Sequence, residues 1–285
     1  MSKDKILKLI HPVVLKILSS RRKFDLVVDG KIPDEQSIFI ANHYCIHDIP
    51  TAGEVIKKHT FILVSDEDKY TTDGLALSLN GVIWINRLNK DDRKRANNDI
   101  LAHLKKGHNI LMYPEATWNL TAELPMLPMN WGVVGISFES GVPIVPMYLL
   151  FTEKTCYVKI GKPFTPSSDK QDSIAKLRDI MATLCFDLME KLPITKRSKL
   201  PDDYLENSIR DRYNEYGRAR KDPSGVRQYE SQFVFKPKGI TEPAEAFAHL
   251  KTLIPNRNNA FLLIRDGKDH QNEKPEKTEN GRYTA

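Results

Sequence analysis

Between Phe24 and Leu192 the chain alternates short apolar runs with longer segments of helical spacing, and nothing else in it constrains the fold as strongly. The runs Phe24–Val28, Ser37–Ala41, Phe61–Val64, Val82–Ile85, Asn109–Tyr113, Ile144–Leu150 and Cys156–Ile160 read as strands. Asp48–Lys58, Asp91–Lys106, Trp131–Ser140 and Asp169–Leu192 read as helices, with Gly107 and Gly141 placed as stops. Such interleaving predicts an α/β fold, a mostly parallel central sheet flanked by helices. In sheets of this kind ligands gather beyond the carboxyl ends of the strands. His43, Arg87 and Glu115 all follow predicted strands at that end.

The first of these strand ends carries Asn42-His43-Tyr44-Cys45-Ile46-His47-Asp48. A histidine at a strand end with a carboxylate beyond it is one way to build a general base and its orienting partner. In a regular helix, residues five apart are offset by about 140° around the axis, so contact between His43 and Asp48 requires an irregular turn. Near a helix N-terminus a resting imidazole stays neutral, while the carboxylate fixes its tautomer and stabilises the cation once it forms. The bland alternative is a capping histidine beside a solvated first-turn acid.

Three further blocks follow in order: Gly81-Val82-Ile83-Trp84-Ile85-Asn86-Arg87, then Tyr113-Pro114-Glu115-Ala116-Thr117, then Val142-Pro143-Ile144-Val145-Pro146. Together with the first they resemble the glycerolipid acyltransferases of the lysophosphatidate type, whose patterns read NHxxxxD, GxxxIxR, FPEGT and VPIVP. The resemblance covers roughly residues 25–165. It implies transfer of a fatty acyl group from a thioester, on coenzyme A or acyl carrier protein, to a hydroxyl of a lysophospholipid or related glycerolipid, with no cofactor beyond the acyl donor. It also implies that His43 deprotonates the acceptor, Asp48 holds His43, and Arg87, Glu115 and Thr117 shape the acceptor site, by direct attack and without an acyl-enzyme.

Two positions depart from the pattern. Ala116 stands where the family usually has glycine, and Trp118 where many members carry arginine just after the threonine. A methyl at 116 restricts the backbone, and Trp118 replaces a cation with a flat apolar face. Filling the core is the first reading of Trp118; lining an acyl groove or stacking on a sugar-like acceptor are the others. Both residues join the candidate substrate-binding set, and selectivity for phosphomonoester acceptors is expected to be weak.

Composition narrows the alternatives. With 285 residues, 40% hydrophobic and 28% charged, the chain can bury one large core with an appendage. Cys45, Cys156 and Cys185 are an odd, widely spaced set without a CxxC pair, which argues for a reducing compartment and against a disulfide framework. Residues 1–31 carry 8 basic and 3 acidic side chains, residues 32–190 carry 16 and 20, and residues 191–285 carry 19 and 14. Basic flanks around a mildly acidic centre suit an anionic membrane surface; no nucleic-acid module is recognisable, and no nucleic-acid partner is expected.

No stretch reaches the roughly 18 apolar residues of a membrane span, and the N-terminus lacks the pattern of a signal peptide. Residues 1–23 instead read as an amphipathic helix, with Ile6, Leu7, Ile10, Val13, Val14, Ile17 and Leu18 at near-helical spacing and Pro12 as a kink point. Lying in a membrane interface and packing on the domain are equal readings of that helix. The expected location is cytoplasmic, peripheral on the inner face of the membrane.

Residues 24–195 form the expected acyltransferase domain, 196–266 a C-terminal α+β extension without an assigned role, and 267–285 a polar tail expected to be disordered. Two other functions compete: a metal-dependent hydrolase using His43, His47 and Asp48 with Glu115 completing the site, and a non-catalytic membrane-binding scaffold. For the first, the four-residue spacing of His43 and His47 can place two imidazoles on one helical face, but the third ligand is unassigned and no HExxH is present.

Overall fold

The structure, a computed structural model, describes residues 3–20, 22–119, 125–152 and 154–192. The expected C-terminal extension and tail lie outside the described residues. Seven strands form one sheet: β1 (Asp25–Asp29), β2 (Ile38–Ala41), β3 (Thr60–Ser65), β4 (Val82–Ile85), β5 (Asn109–Met112), β6 (Ile144–Phe151) and β7 (Thr155–Ile160). Among the described residues six α-helices accompany them: α1 (Lys3–Ser20), α2 (Asp48–Ile56), α3 (Thr72–Asn80), α4 (Lys90–Lys105), α5 (Gly132–Ser140) and α6 (Lys170–Lys191).

The strand order is β1-β7-β6-β2-β5-β3-β4. From β6 through β4 every pairing is parallel, with Ile40 of β2 facing Met112 on one side and Pro146 on the other. β7 runs antiparallel to β6, because residues 152–154 are too few for a crossover, and β1 pairs parallel to β7. The fold is therefore α/β with a largely parallel sheet.

β2 sits at the centre and all four of its residues are buried, which is why it reads as a continuous apolar run. Side chains alternate across it: Ile38 and Ile40 join the core beneath α4, α5 and α6, while Phe39 and Ala41 join the one beneath α2. Asn89 caps α4 by accepting from the amides of Asp91 and Asp92, and Asp169 caps α6 in the same way through Gln171 and Asp172. Gly107 and Gly141 end α4 and α5 with φ of +78° and +71°.

α3 is absent from the sequence-based assignment. Its interior Gly74 and the outward-facing Leu75 and Leu79 hide its period, although Thr71 caps it by accepting from the Gly74 amide at 3.0 Å. α1 lies against α2 and α3. Gly53 of α2 permits that approach, since a Cβ there would meet Leu15 Cδ2 at 2.9 Å. Leu7, His11 and Val14 are buried by the packing, while Leu9, Val13 and Ile17 form an exposed stripe. Among the described residues no helix is long and apolar enough to cross a membrane.

Beyond the amino ends of β3, β4 and β5 lies a cluster of histidines. His11 Nδ1 bonds Asn80 Oδ1 at 2.6 Å, His59 Nε2 donates to the Asn80 carbonyl at 2.7 Å, and the Nδ1 atoms of His103 and His108 are 3.0 Å apart. Phe61 packs among them, its ring 3.8 Å from that of His103.

Candidate active site

At the opposite end of the sheet, Asn42 ends β2 by exchanging two hydrogen bonds with the backbone of Leu149 in β6, at 3.0 and 2.7 Å. This fixes where His43 emerges. Residues 43–47 are not helical, and α2 begins at Asp48 itself. The irregular turn that contact demands is present: Asp48 Oδ2 accepts from His43 Nδ1 at 2.8 Å, from the Cys45 amide at 2.9 Å and from the Tyr44 amide. The Cys45 thiol donates to Asp48 Oδ1 at 3.7 Å. Asp48 is fully buried, so its carboxylate is held by the loop it organises.

The segment after β5 grips His43 from the other side. The His43 amide donates to Glu115 Oε1 at 2.6 Å, and the His43 carbonyl accepts from the Asn119 amide at 2.6 Å. Glu115 Oε2 accepts from the Leu127 amide, also at 2.6 Å, tying the segment 125–130 to the same point. Asn130 closes that segment with two bonds to the Pro114 carbonyl, at 2.8 and 3.0 Å. Glu115 is fully buried; burial pushes its carboxyl up to about 8, against the pull of the two amides. Its carboxyl group thus reaches the site through the backbone of His43.

Two aromatic rings flank the imidazole. Tyr113 lies 4.6 Å away, tilted by 34°, and Trp118 stands edge-on at 6.1 Å. Trp118 is only 5% exposed, and Thr117 beside it is fully buried. Arg87, following β4, donates through Nη1 to the Ala116 carbonyl, and its own carbonyl accepts from Arg93 Nη1 at 2.6 Å. Ala116 has φ of +62°, in the left-handed region that favours glycine. All seven residues singled out in the sequence lie at this end of the sheet: His43, Arg87, Glu115, Ala116, Thr117 and Trp118 in loops and Asp48 as the first residue of α2.

Sequence reasoning gave no role to Tyr113 or to the backbone amides of Asn119 and Leu127, since an amide leaves no trace in residue type. The hydrolase alternative loses its geometric basis. The helical face that the four-residue spacing of His43 and His47 offered does not form: the helix starts after both, and His47 rests edge-on against Phe24 at 5.6 Å. No three His, Cys, Asp or Glu side chains converge to hold a metal among the described residues.

The sequence model of the acyltransferase family matches residues 25–150. Over 207 residues the chain is 25% identical to a 1-acyl-sn-glycerol-3-phosphate acyltransferase of Saccharomyces cerevisiae, covering 65% of this chain and 68% of that protein. It is 23% identical to a lyso-ornithine lipid O-acyltransferase of Pseudomonas aeruginosa, covering 60% and 64%, and 26% identical to a chloroplastic 1-acyl-sn-glycerol-3-phosphate acyltransferase of Brassica napus, covering 42% and 35%. The crystal structure of the 1-acyl-sn-glycerophosphate acyltransferase PlsC from Thermotoga maritima shares the fold, with a TM-score of 0.57 at 19% identity over 68% of this chain and 85% of that one.

Proposed function

The chain belongs to the lysophosphatidate-type glycerolipid acyltransferase family, a family of O-acyltransferases, and on that premise we propose that it acylates a lysophospholipid or related glycerolipid with His43 as general base. The observation that carries this reading is the 2.8 Å bond between His43 Nδ1 and the buried Asp48 at the carboxyl end of the central strand. With the Nδ1 proton donated to Asp48, Nε2 keeps its lone pair for the acceptor. Nε2 takes the proton of the acceptor hydroxyl as its oxygen attacks the thioester carbonyl; the C–S bond then breaks and the thiolate recovers that proton from the imidazolium. Asp48 stabilises the imidazolium between those steps, and no covalent enzyme intermediate forms.

The donor is an acyl thioester, coenzyme A or acyl carrier protein being the two candidate carriers. For the acceptor, the bond from Arg87 to the Ala116 carbonyl and the burial of Trp118 support a site that leans little on phosphate recognition. The relatives' own names include both a phosphate-bearing and an ornithine lipid acceptor. The exposed Leu9-Val13-Ile17 stripe of α1, followed in the sequence by the basic Arg21, Arg22 and Lys23, supports peripheral attachment to the anionic inner face of a membrane.

The test incubates the purified full chain with acyl-CoA and acyl-carrier-protein donors and a panel of phosphorylated and neutral lysolipids, following thiol release and new lipid. His43→Ala is expected to lose about 10² to 10⁴-fold in turnover while keeping its fold. Wild-type turnover by that variant would remove His43 from the chemistry, and thiol release without acylated lipid would make the protein a thioesterase.

A further inference from the structure

Tyr113 is the first residue past β5 and faces the α2 side of the sheet, in the same buried cluster as Phe39, Ala41 and Leu111. Its ring plane lies 34° from that of His43 with centroids 4.6 Å apart. An imidazolium at this distance from an aromatic face falls within the range of a cation–π contact, which neutral imidazole does not share to the same degree. The Trp118 edge closes a second side of the imidazole, and Asp48 holds Nδ1. The Tyr113 hydroxyl adds no hydrogen bond: Oη is buried without a partner among the described residues. Burial also pushes its ionisation well above the usual tyrosine range, so the group stays neutral at working pH.

From this geometry we infer that Tyr113 is a positioning residue for the acyl transfer: its ring face orients His43 and stabilises the imidazolium formed when His43 takes the acceptor proton, while its hydroxyl contributes nothing to the step. The inference rests on His43 being the base. It differs from a simple packing role in making the electron density of the ring, and not its shape, matter to turnover.

Three variants of the full chain separate these roles. Tyr113→Phe keeps the ring and removes the orphan hydroxyl, so it should retain wild-type kcat and melt at a higher temperature. Pentafluorophenylalanine at position 113 keeps the shape but reverses the ring's charge distribution. It should lower kcat about tenfold relative to Tyr113→Phe, leave KM within about twofold, and move the acid limb of the kcat/KM profile to lower pH. Tyr113→Met, smaller and without a ring face, should lose at least as much kcat as the fluorinated ring.

Equal kcat and equal pH profiles for the fluorinated and Phe variants would overturn the inference. So would a loss of activity in Tyr113→Phe, which would give the role to the hydroxyl. His43→Ala, assayed alongside, separates this failure from failure of the base reading: an active His43→Ala overturns both, whereas an inactive one with a silent fluorinated variant overturns only the role of Tyr113.

Discussion

Glu115 holds His43 by its backbone: Oε1 accepts the His43 amide at 2.6 Å, and Oε2 takes the Leu127 amide at the same distance. A carboxyl group buried beside a histidine base is thereby a clamp between two loops. Both oxygens must accept, which a carboxamide cannot do. Glu115→Gln would turn an NH₂ toward one of the two amides and leave that donor buried and unsatisfied, a loss of about 1–3 kcal/mol. Chemical denaturation should show this, with a fall in kcat as the His43 loop loosens; unchanged stability would mean that the clamp carries no weight.

Stability should also be lower at both ends of the pH range, for separate reasons. Glu115 is pushed up to about 8 in the fold from an ordinary 4.5, so between those values the folded state keeps a proton that the unfolded chain has lost, and stability falls as pH rises. His59 is lowered from 6.5 to about 4, by burial first and then by the neighbouring His11, His108 and Lys8, against the Asn80 carbonyl that favours its charge. Its contribution is fully present above 6.5 and is lost as pH falls toward 4, where the unfolded chain binds the extra proton. Unfolding free energies from pH 4 to 9 should show His59→Gln flattening the acid side and Glu115→Gln the alkaline side. Parallel wild-type and variant curves would rule out both assignments.

Ala116→Gly should stabilise the protein. With φ of +62° the alanine occupies a region that costs an L-residue about 1–2 kcal/mol, partly offset by the greater freedom glycine has when unfolded. A net gain of about 0.5–1 kcal/mol is expected in thermal or denaturant melts. A lower melting temperature would show that the methyl makes a contact worth more than the strain.

Arg87→Ala should lower turnover with phosphorylated and neutral acceptors alike, because the Arg87 guanidinium supports the Ala116 carbonyl of the loop that carries Glu115. Trp118→Arg should destabilise the fold instead of improving phosphate binding, since it places a charge at a site that is 5% exposed. Side-by-side kinetics on lysophosphatidate and a neutral lysolipid decide the first. A selective loss on lysophosphatidate would place Arg87 on the phosphate.

For membrane attachment, Leu9 at 70%, Val13 at 59% and Ile17 at 52% exposure are the positions to change. Removing residues 1–22 would also strip Leu7, His11 and Val14 from the core, so point variants are the cleaner probe. Leu9→Asp with Val13→Asp should cut sedimentation with anionic vesicles while leaving the melting curve in place, and raised salt should weaken the wild type. Unaltered sedimentation would exclude the stripe.

The sequence by itself determined the elements that local chemistry writes. β2, β6 and residues 110–112 of β5 are buried and read as apolar runs; α4 and α5 end at glycines with positive φ; and the five-residue step from His43 to Asp48 spans the single turn that leads into α2. Only the tertiary structure decided the rest. It turned β7 and β1 against the other five strands, hid α3 behind outward-facing leucines, and brought Glu115 to the amide of His43 across 72 residues. It also laid the Tyr113 ring against the base and sent Arg87 to the Ala116 carbonyl. The physical reason is that a backbone amide or carbonyl is the same at every residue: the partner it takes is fixed by which strand ends meet in space, and no pattern of side chains records it.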